Sequence, residues 1–471
     1  MIFSNPTTKV AITGIAEAGK TTFLTSLLWH LDQIGSGKLE VRNGKNNPID
    51  IYKAKINDGK ITKRTFQYKQ VIAEVLHTRE FPQKTADWRE CSVEFAREGW
   101  WYNRQRLEFV DFPGERIVDV ALMAYSSFDQ WSAHFFEAVA NVPQLTPYIN
   151  EYKTKIQTST DAAACIRAYK ELIEKIIGEY GSLVSPSTLL LDEKGKTWKD
   201  KIKTASGKLD KQQFIPTAVS GLLGFEFAPI PVELVPTMPF TRQFKKNYER
   251  YRKKALFPLI KQVFRADKLL VLINIPELLM EGGEAYNQAV ATIEALVTTL
   301  DPAGSFWKGF AIWSGLYFLG WNPVPLREVI FVATQTDRIH PDDINNDKIV
   351  RLLGEMVGGI ISKVRPLKCQ KTHCAAIQST YVPPKSNDAI TDGKKILCGI
   401  PQAAGNPQCR TIKYEVDALP ATIPSKFATK GAPNKYCFPK TCFPEDFPEI
   451  MSHPPKHNNL NAVFNFIIND K

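Results

Sequence analysis

Residues 9–31 read KVAITGIAEAGKTTFLTSLLWHL. A short β-branched run, Lys9 to Thr13, leads into Gly14-x-x-x-x-Gly19-Lys20-Thr21. Phe23, Leu24, Leu27, Leu28 and Leu31 then recur at helical spacing. The pattern predicts strand, loop, helix, the context in which this loop motif has a physical meaning. Glycines at 14 and 19 let the backbone through Ala16, Glu17 and Ala18 wrap closely. Its N–H groups and the helix N-terminus then point at an anion such as a phosphate chain. Lys20 adds a positive charge for the β- and γ-phosphates, the Thr21 hydroxyl suits a Mg2+ ion, and Thr22 stands beside it.

Further along the chain, Cys91 to Phe95 and Leu107 to Val110 read as two strands, and Tyr68 to Leu76 as a helix. The second strand runs into Asp111-Phe-Pro-Gly114-Glu115. This Asp-x-x-Gly form places a strand-end carboxylate near Mg2+ and a glycine N–H near a γ-phosphate. Glu115 then stands where a water-orienting side chain is expected. A threonine in the long stretch before Asp111 should close the Mg2+ shell; Thr85 is the choice, with Thr62 and Thr65 as competitors. Thr334-Gln-Thr-Asp337 follows the apolar run Glu328 to Ala333 and has the form of a guanine-reading motif. The Asp337 carboxylate accepts from guanine N1–H and the 2-amino group, a donor pair adenine lacks. Gln335 occupies the place of a lysine that packs on the purine, which keeps an adenine nucleotide as the competing ligand. The strand Thr372 to Ile377 should end in a loop whose Ala375, Ala376 and Ile377 back the base with their N–H groups.

Helical patterns over Asp129–Ala140, Tyr148–Ile156, Ala162–Ile177 and Phe244–Leu256 interrupt the strand signals, which resume at Lys268 to Asn274. The expectation is therefore a discontinuous nucleotide-binding core, 1–117 with 262–471, and a helical insertion, 118–261. Region 386–455 is rich in Pro, Gly and Cys and shows no periodicity. Leu460 to Ile468 reads as a closing helix.

The chain has 471 residues, 44% of them hydrophobic and 23% charged, enough for real cores in two or three structural units. No window is apolar for the roughly 18 residues a membrane span needs, and MIFSNPTTKV lacks a secretory pattern, so the expected compartment is the cytoplasm. The net charge of +11 is spread over helix-like surfaces, and no specific nucleic-acid partner is expected. The eight cysteines lack zinc-ribbon spacing and read as thiols without a structural metal. Residues 304–321, GSFWKGFAIWSGLYFLGW, are the most aromatic stretch. They read as a buried helix, with peripheral contact at the inner membrane surface as the alternative.

Asp111 to Glu115, Trp131-Ser132, Ala333 to Asp337, Cys374 to Thr380 and Leu460 to Lys471 together resemble the YcjX family of bacterial stress-associated P-loop proteins. The likeness runs from near residue 8 to the C-terminus. It implies an α/β, Ras-like P-loop NTPase core with a mostly parallel sheet and an inserted helical subdomain. It also implies a Mg-GTP hydrolase that yields GDP and acts as a stress-associated switch on a protein effector not named by the sequence. An ATPase, or a slow nucleotide-regulated interaction protein, are the competing readings. The resemblance favours Thr85 over its competitors; Arg116 and Gln335 depart from the family's residues.

Overall fold

The computed structural model describes residues 7–14, 18–33, 39–42, 48–49, 51–57, 62, 64–82, 89–97, 104–112, 119, 121–140, 145–180, 226–257, 265–300, 326–362, 368–383, 394–402, 410–424 and 436–469. Its centre is three strands whose side chains are buried on both faces. Strand β1 (Thr7–Gly14) leads into helix α1 (Lys20–Asp32). Short strands β2 (Val41–Arg42) and β3 (Pro48–Ile49) pair with each other, and β4 (Ile51–Ile56) precedes α2 (Tyr68–Thr78). Then come β5 (Arg89–Arg97) and β6 (Arg104–Asp111), and helices α3 (Phe128–Ala140), α4 (Thr146–Gln157), α5 (Ala162–Tyr180) and α6 (Thr241–Tyr251).

The sheet resumes with β7 (Lys268–Ile273), followed by α7 (Ile275–Glu281) and α8 (Gly283–Leu300). Strand β8 (Glu328–Ala333), α9 (Pro341–Asn345), α10 (Lys348–Ile361) and β9 (Lys368–His373) come next. The hairpin strands β10 (Lys394–Gly399) and β11 (Ile412–Asp417) and helix α11 (Leu460–Ile468) end the chain. The protein is thus α/β, with a seven-stranded sheet in the order β4-β5-β6-β1-β7-β8-β9. Pairs β6–β1, β1–β7, β7–β8 and β8–β9 are parallel, while β4–β5 and β5–β6 are antiparallel.

Alternation along a strand sends successive side chains to opposite faces, and the central strands use both. Leu269, Val271 and Ile273 of β7 join one apolar cluster with α7, α8, α10 and helices α3 to α6. Leu270 and Leu272 join a second cluster with α1, α2 and α11. Such two-sided burial explains why β7 and β8 read as unbroken apolar runs. The helices α3 to α6 share their core with the sheet: Trp131, Phe227 and Tyr248 interlock with ring centroids 5.1 to 5.8 Å apart.

Two local expectations are corrected. Strand β9 is Lys368–His373 rather than Thr372 to Ile377, because it pairs residue for residue with β8 and leaves the sheet where Cys374 N–H caps Ala333 O at 2.8 Å. The apolar Cys374 to Ile377 therefore belongs to the following loop, and the edge strand is polar and half-buried. Helix α6 ends at Tyr251 and continues as a π-helical turn, Arg252–Leu256. Helices α7 to α10 were legible in repeats such as Leu352, Leu353, Met356, Val357 and Ile360 but were not singled out. Residues 304–321 lie outside the described residues. Among the described ones no helix is long and apolar enough to cross a membrane, and no two described cysteines form a disulfide with each other.

A buried cation ties the last helix to the sheet. Lys268 Nζ donates to Phe466 O and Asn469 O, each at 2.9 Å, at the C-terminal end of α11, and pairs with Glu328 Oε2 at 3.4 Å. It satisfies helix-end carbonyls where the macrodipole favours a positive charge. Lys268→Met should cost about 3–5 kcal/mol, because it leaves the buried Glu328 carboxylate without its nearest buried partner. Urea denaturation checks this, and the double variant Lys268→Met, Glu328→Leu should recover part of the loss.

Candidate functional site

The chain leaving β1 goes on to build β4 to β6 on one side of it, whereas the chain leaving its other neighbour, β7, goes outward to β8 and β9, so the strand order reverses beside β1. The crevice beyond the C-terminal end of such a strand is where open α/β sheets bind ligands. Gly14 ends β1 there, and a Cβ on it would stand 2.6 Å from Leu272 O. Glycine is required so that the loop can start against the backbone of β7. Gly19, with φ of 74°, supplies the left-handed turn that caps α1.

A cavity of about 310 Å3 opens at this point. Its floor at one end is the start of α1, from Ala18 through Lys20, Thr21 and Thr22 to Phe23. Thr334, Gln335, Asp337 and Arg338, from the end of β8, form the other end, together with Cys374, Ala376 and Ile377. Phe81 and Pro82 form one rim; Gln402, Lys440 and Thr441 form another. Three segments singled out in the sequence thus share one cavity. The α1 end is electropositive through its helix N-terminus and Lys20. The opposite end carries a buried carboxylate.

The β8 end is held by many bonds. Gln335 has a left-handed backbone, φ 55°, and its Nε2 lies 4.0 Å from where a Cβ on Gly19 would stand. Its Oε1 accepts from Arg338 Nη1 at 2.8 Å. The Arg338 guanidinium also donates to Phe438 O and pairs with Glu277 at 3.1 Å, which meets Lys440 Nζ at 3.0 Å. The Asp337 carboxylate accepts from Ser379 Oγ, and Asp337 O accepts from Thr380 Oγ1. Burial pushes the Asp337 carboxyl above its usual range, against the opposing pull of the Ser379 hydrogen bond and the Arg338 charge. Thr334 borders the cavity, and its buried hydroxyl has no hydrogen-bond partner among the described residues. An unsatisfied buried hydroxyl and a glycine-framed helix N-terminus are features a polar, anionic ligand would complete.

The loop after β9 is braced from both sides. Ser26 Oγ of α1 donates to Ala376 O at 2.6 Å, and Ala375 exchanges two backbone bonds with Asn458 at 3.0 and 2.9 Å. Ala375 consequently stands off the cavity wall with its N–H already donated, whereas Ala376 and Ile377 border it. Asp111 is buried at the end of β6, opposite Ile12 in register, and is not part of the wall. Thr62 and Thr65 close a turn on each other, 2.8 Å from Thr62 N to Thr65 Oγ1, away from the cavity. Ala16, Glu17, Thr85, Gly114, Glu115 and Arg116 lie outside the described residues.

Sequence reasoning missed the rim. Gln402, Lys440 and Thr441 come from the Pro- and Cys-rich region, where hairpin β10–β11 is tied to α9 and α10. Asp343 anchors it, accepting from Lys348 at 2.6 Å, Lys395 at 3.1 Å and Leu419 N at 3.0 Å. Burial works against that charge, and the three donors outweigh it, holding the carboxyl below its usual range. Phe81 reaches the rim by packing on Phe443, centroids 4.3 Å apart, which stacks on Phe447 at 4.2 Å. The model of the YcjX-like family, DUF463, matches residues 8–471. The chain belongs to the YcjX-like family. In this YcjX-like protein every wall of the cavity falls within the matched span.

The sign of the Asp337 effect gives a test. A carboxyl whose pKa is raised on folding is least unfavourable when protonated, so its ionisation costs stability as pH rises through the folded value. Asp337→Asn, which keeps an acceptor for Ser379, should raise the melting temperature of the ligand-free protein at pH 8. The gap to wild type should close as pH falls toward 4, as followed by circular dichroism.

Proposed function

We propose that this YcjX-like protein binds Mg-GTP in the cavity and hydrolyses it to GDP and phosphate. The observation that carries the reading is the convergence of Ala18 to Thr22 at the start of α1, Thr334, Gln335 and Asp337 after β8, and Ala376-Ile377 on one cavity. A β-strand, glycine loop and helix in that order suit a phosphate chain, and a buried acceptor at the far end suits a purine edge with donors. The strand order, five parallel strands led into by an antiparallel hairpin, supports a Ras-like P-loop core. On this reading 118–261 is the insertion in a core formed by 1–117 and 262–471.

In the proposed reaction water attacks the γ-phosphorus in line, and the bond from that phosphorus to the β–γ bridging oxygen breaks. Lys20 and the loop N–H groups neutralise charge that builds on the phosphate oxygens in a site already organised to receive it. Thr21 borders the cavity and Asp111 ends the adjacent strand; these are the residues that would hold Mg2+, with Thr85. Such an ion supplies charge neutralisation of the triphosphate. Gly114 and Glu115 are assigned to γ-phosphate sensing and water orientation on motif alone. Thr334 lines the cavity beside the base end, and Gln335 packs beside Gly19 in the place of a lysine stem.

Calorimetric titration with GDP, ADP and non-hydrolysable GTP tests the reading. Guanine nucleotides should bind preferentially, and Lys20→Ala should weaken them by about 10- to 150-fold, the worth of a charge-assisted hydrogen bond. Asp337→Asn offers one donor and one acceptor, which matches the 2-oxo group and N1–H of xanthine. It should therefore transfer preference from GDP to XDP. Equal binding of GDP and ADP by the wild type would overturn the base assignment.

A further inference from the structure

Asp337 is held by a chain of hydroxyls that reaches it from the far end of the sequence. Ser379 Oγ donates to Asp337 Oδ2, and the same oxygen lies 2.6 Å from Thr441 Oγ1. Both side chains are buried, 1% and 5% exposed. A hydroxyl has a single proton to give. Because that of Ser379 is committed to the carboxylate, Ser379 must accept from Thr441. The chain therefore has one direction, Thr441 to Ser379 to Asp337, and each donor is polarised by the charge at its end.

Thr441 does not reach this position by chance of a loose loop. Pro401 and Thr441 form an antiparallel bridge, Cys442 N–H donates to Ile400 O at 2.7 Å, and Gln402 N–H donates to Lys440 O at 2.6 Å. Gln402 Nε2 also donates to Thr441 O at 3.2 Å. The rim segment is thus a small piece of sheet, continuous with β10, that delivers a hydroxyl behind the carboxylate and closes the cavity with Lys440.

The state of that carboxylate decides which purine edge it fits. An ionised carboxylate is all acceptor and complements guanine N1–H and its 2-amino group. A neutral carboxylic acid offers one donor and one acceptor, which complements adenine N1 and its 6-amino group. The titratable groups facing Asp337 are Arg338 from its own turn, Cys374 from the end of β9 and Tyr414 from β11. Burial pushes the thiol and the phenol up, so both are neutral at physiological pH and Arg338 is the charged neighbour. Arg338 is already engaged with Glu277 and Gln335. The hydroxyl chain donates to the carboxylate itself, beside the backbone N–H groups of Ser379 and Asp337.

We propose that Thr441 and Ser379 are positioning residues for base choice: their hydrogen-bond relay holds Asp337 as a two-oxygen acceptor facing the cavity, selecting a guanine over an adenine nucleotide. The inference rests on the nucleotide reading above and assigns a specificity role to the Pro- and Cys-rich segment. It requires that removing one hydroxyl, with the shape kept, admits adenine rather than weakening all ligands alike.

The test uses the full chain with GDP and ADP as probes, titrated from pH 5.5 to 8.5 in wild type, Thr441→Val, Thr441→Ser and Ser379→Ala. The expected result is a fall in the GDP-over-ADP preference of roughly tenfold in Ser379→Ala, which removes the charge-assisted hydrogen bond to the carboxylate, and a smaller fall of about threefold in Thr441→Val, which removes the neutral bond behind it. The pH below which GDP affinity declines should also move upward in both, and Thr441→Ser should behave as wild type. Should Thr441→Val fail to fold, Ser379→Ala carries the same comparison. An unchanged preference with an unmoved pH profile, or an equal loss for both nucleotides, overturns the relay while leaving the nucleotide site intact. Wild type that binds neither nucleotide overturns the site and the relay together.

Discussion

The rest of the structure depends on the close approach between Gly14 and the backbone of β7. No side chain fits there, since a Cβ would sit 2.6 Å from Leu272 O. That contact lets β1 end directly against the backbone of β7, with which Gly14 is in register at Leu272. Gly19 then turns the chain into α1 through a left-handed residue. The direction of α1, and with it the place of Lys20, follows from two residues that lack a Cβ.

The opposite end of the cavity is built on different principles. It has no glycine cradle; it has a buried charge network. Arg338, Glu277 and Lys440 form one ionic cluster, and Asp337, Ser379 and Thr441 form one hydrogen-bonded chain beside it. Buried charges are tolerated when paired and bonded, and here the partners come from β8, α7, the loop after β9 and the C-terminal rim. Rigidity at this end is therefore a property of long-range contacts. Burial raises the Asp337 carboxyl above its usual range, so its ionisation costs stability that the partners around it only partly return.

The C-terminal third does most of this bracing. Trp29 Nε1 of α1 donates to Met451 O at 2.6 Å, Gln378 N–H donates to Lys456 O at 2.7 Å, and Asn459 caps His373 O at 2.8 Å. Each bond ties a wall of the cavity to residues 443–459. A segment with few periodic apolar residues acts here as a strap of backbone hydrogen bonds, which is why its composition carries so little signal. Phe443 and Phe447 supply its apolar anchor against Phe81 and Trp29.

What the sequence determined by itself is what local periodicity and local stereochemistry determine. The strand before Gly14, the helix after it, the unbroken apolar strands β7 and β8, and helices α3 to α6 were all legible, because burial on one or two faces writes a repeat into consecutive residues. Thr334 to Asp337 was legible as a motif for the same reason: its residues are contiguous. The tertiary structure alone decided where β9 ends, since strand length is set by pairing with β8 and not by the apolar Cys374 to Ile377 that follows. It alone moved Ala375 off the wall and brought in Gln402, Lys440 and Thr441. Thr441 reaches Asp337 through Ser379, Lys440 reaches Arg338 through Glu277, and Gln402 is bonded to Thr441; contacts of this kind between segments far apart in the chain leave no period in the sequence that forms them.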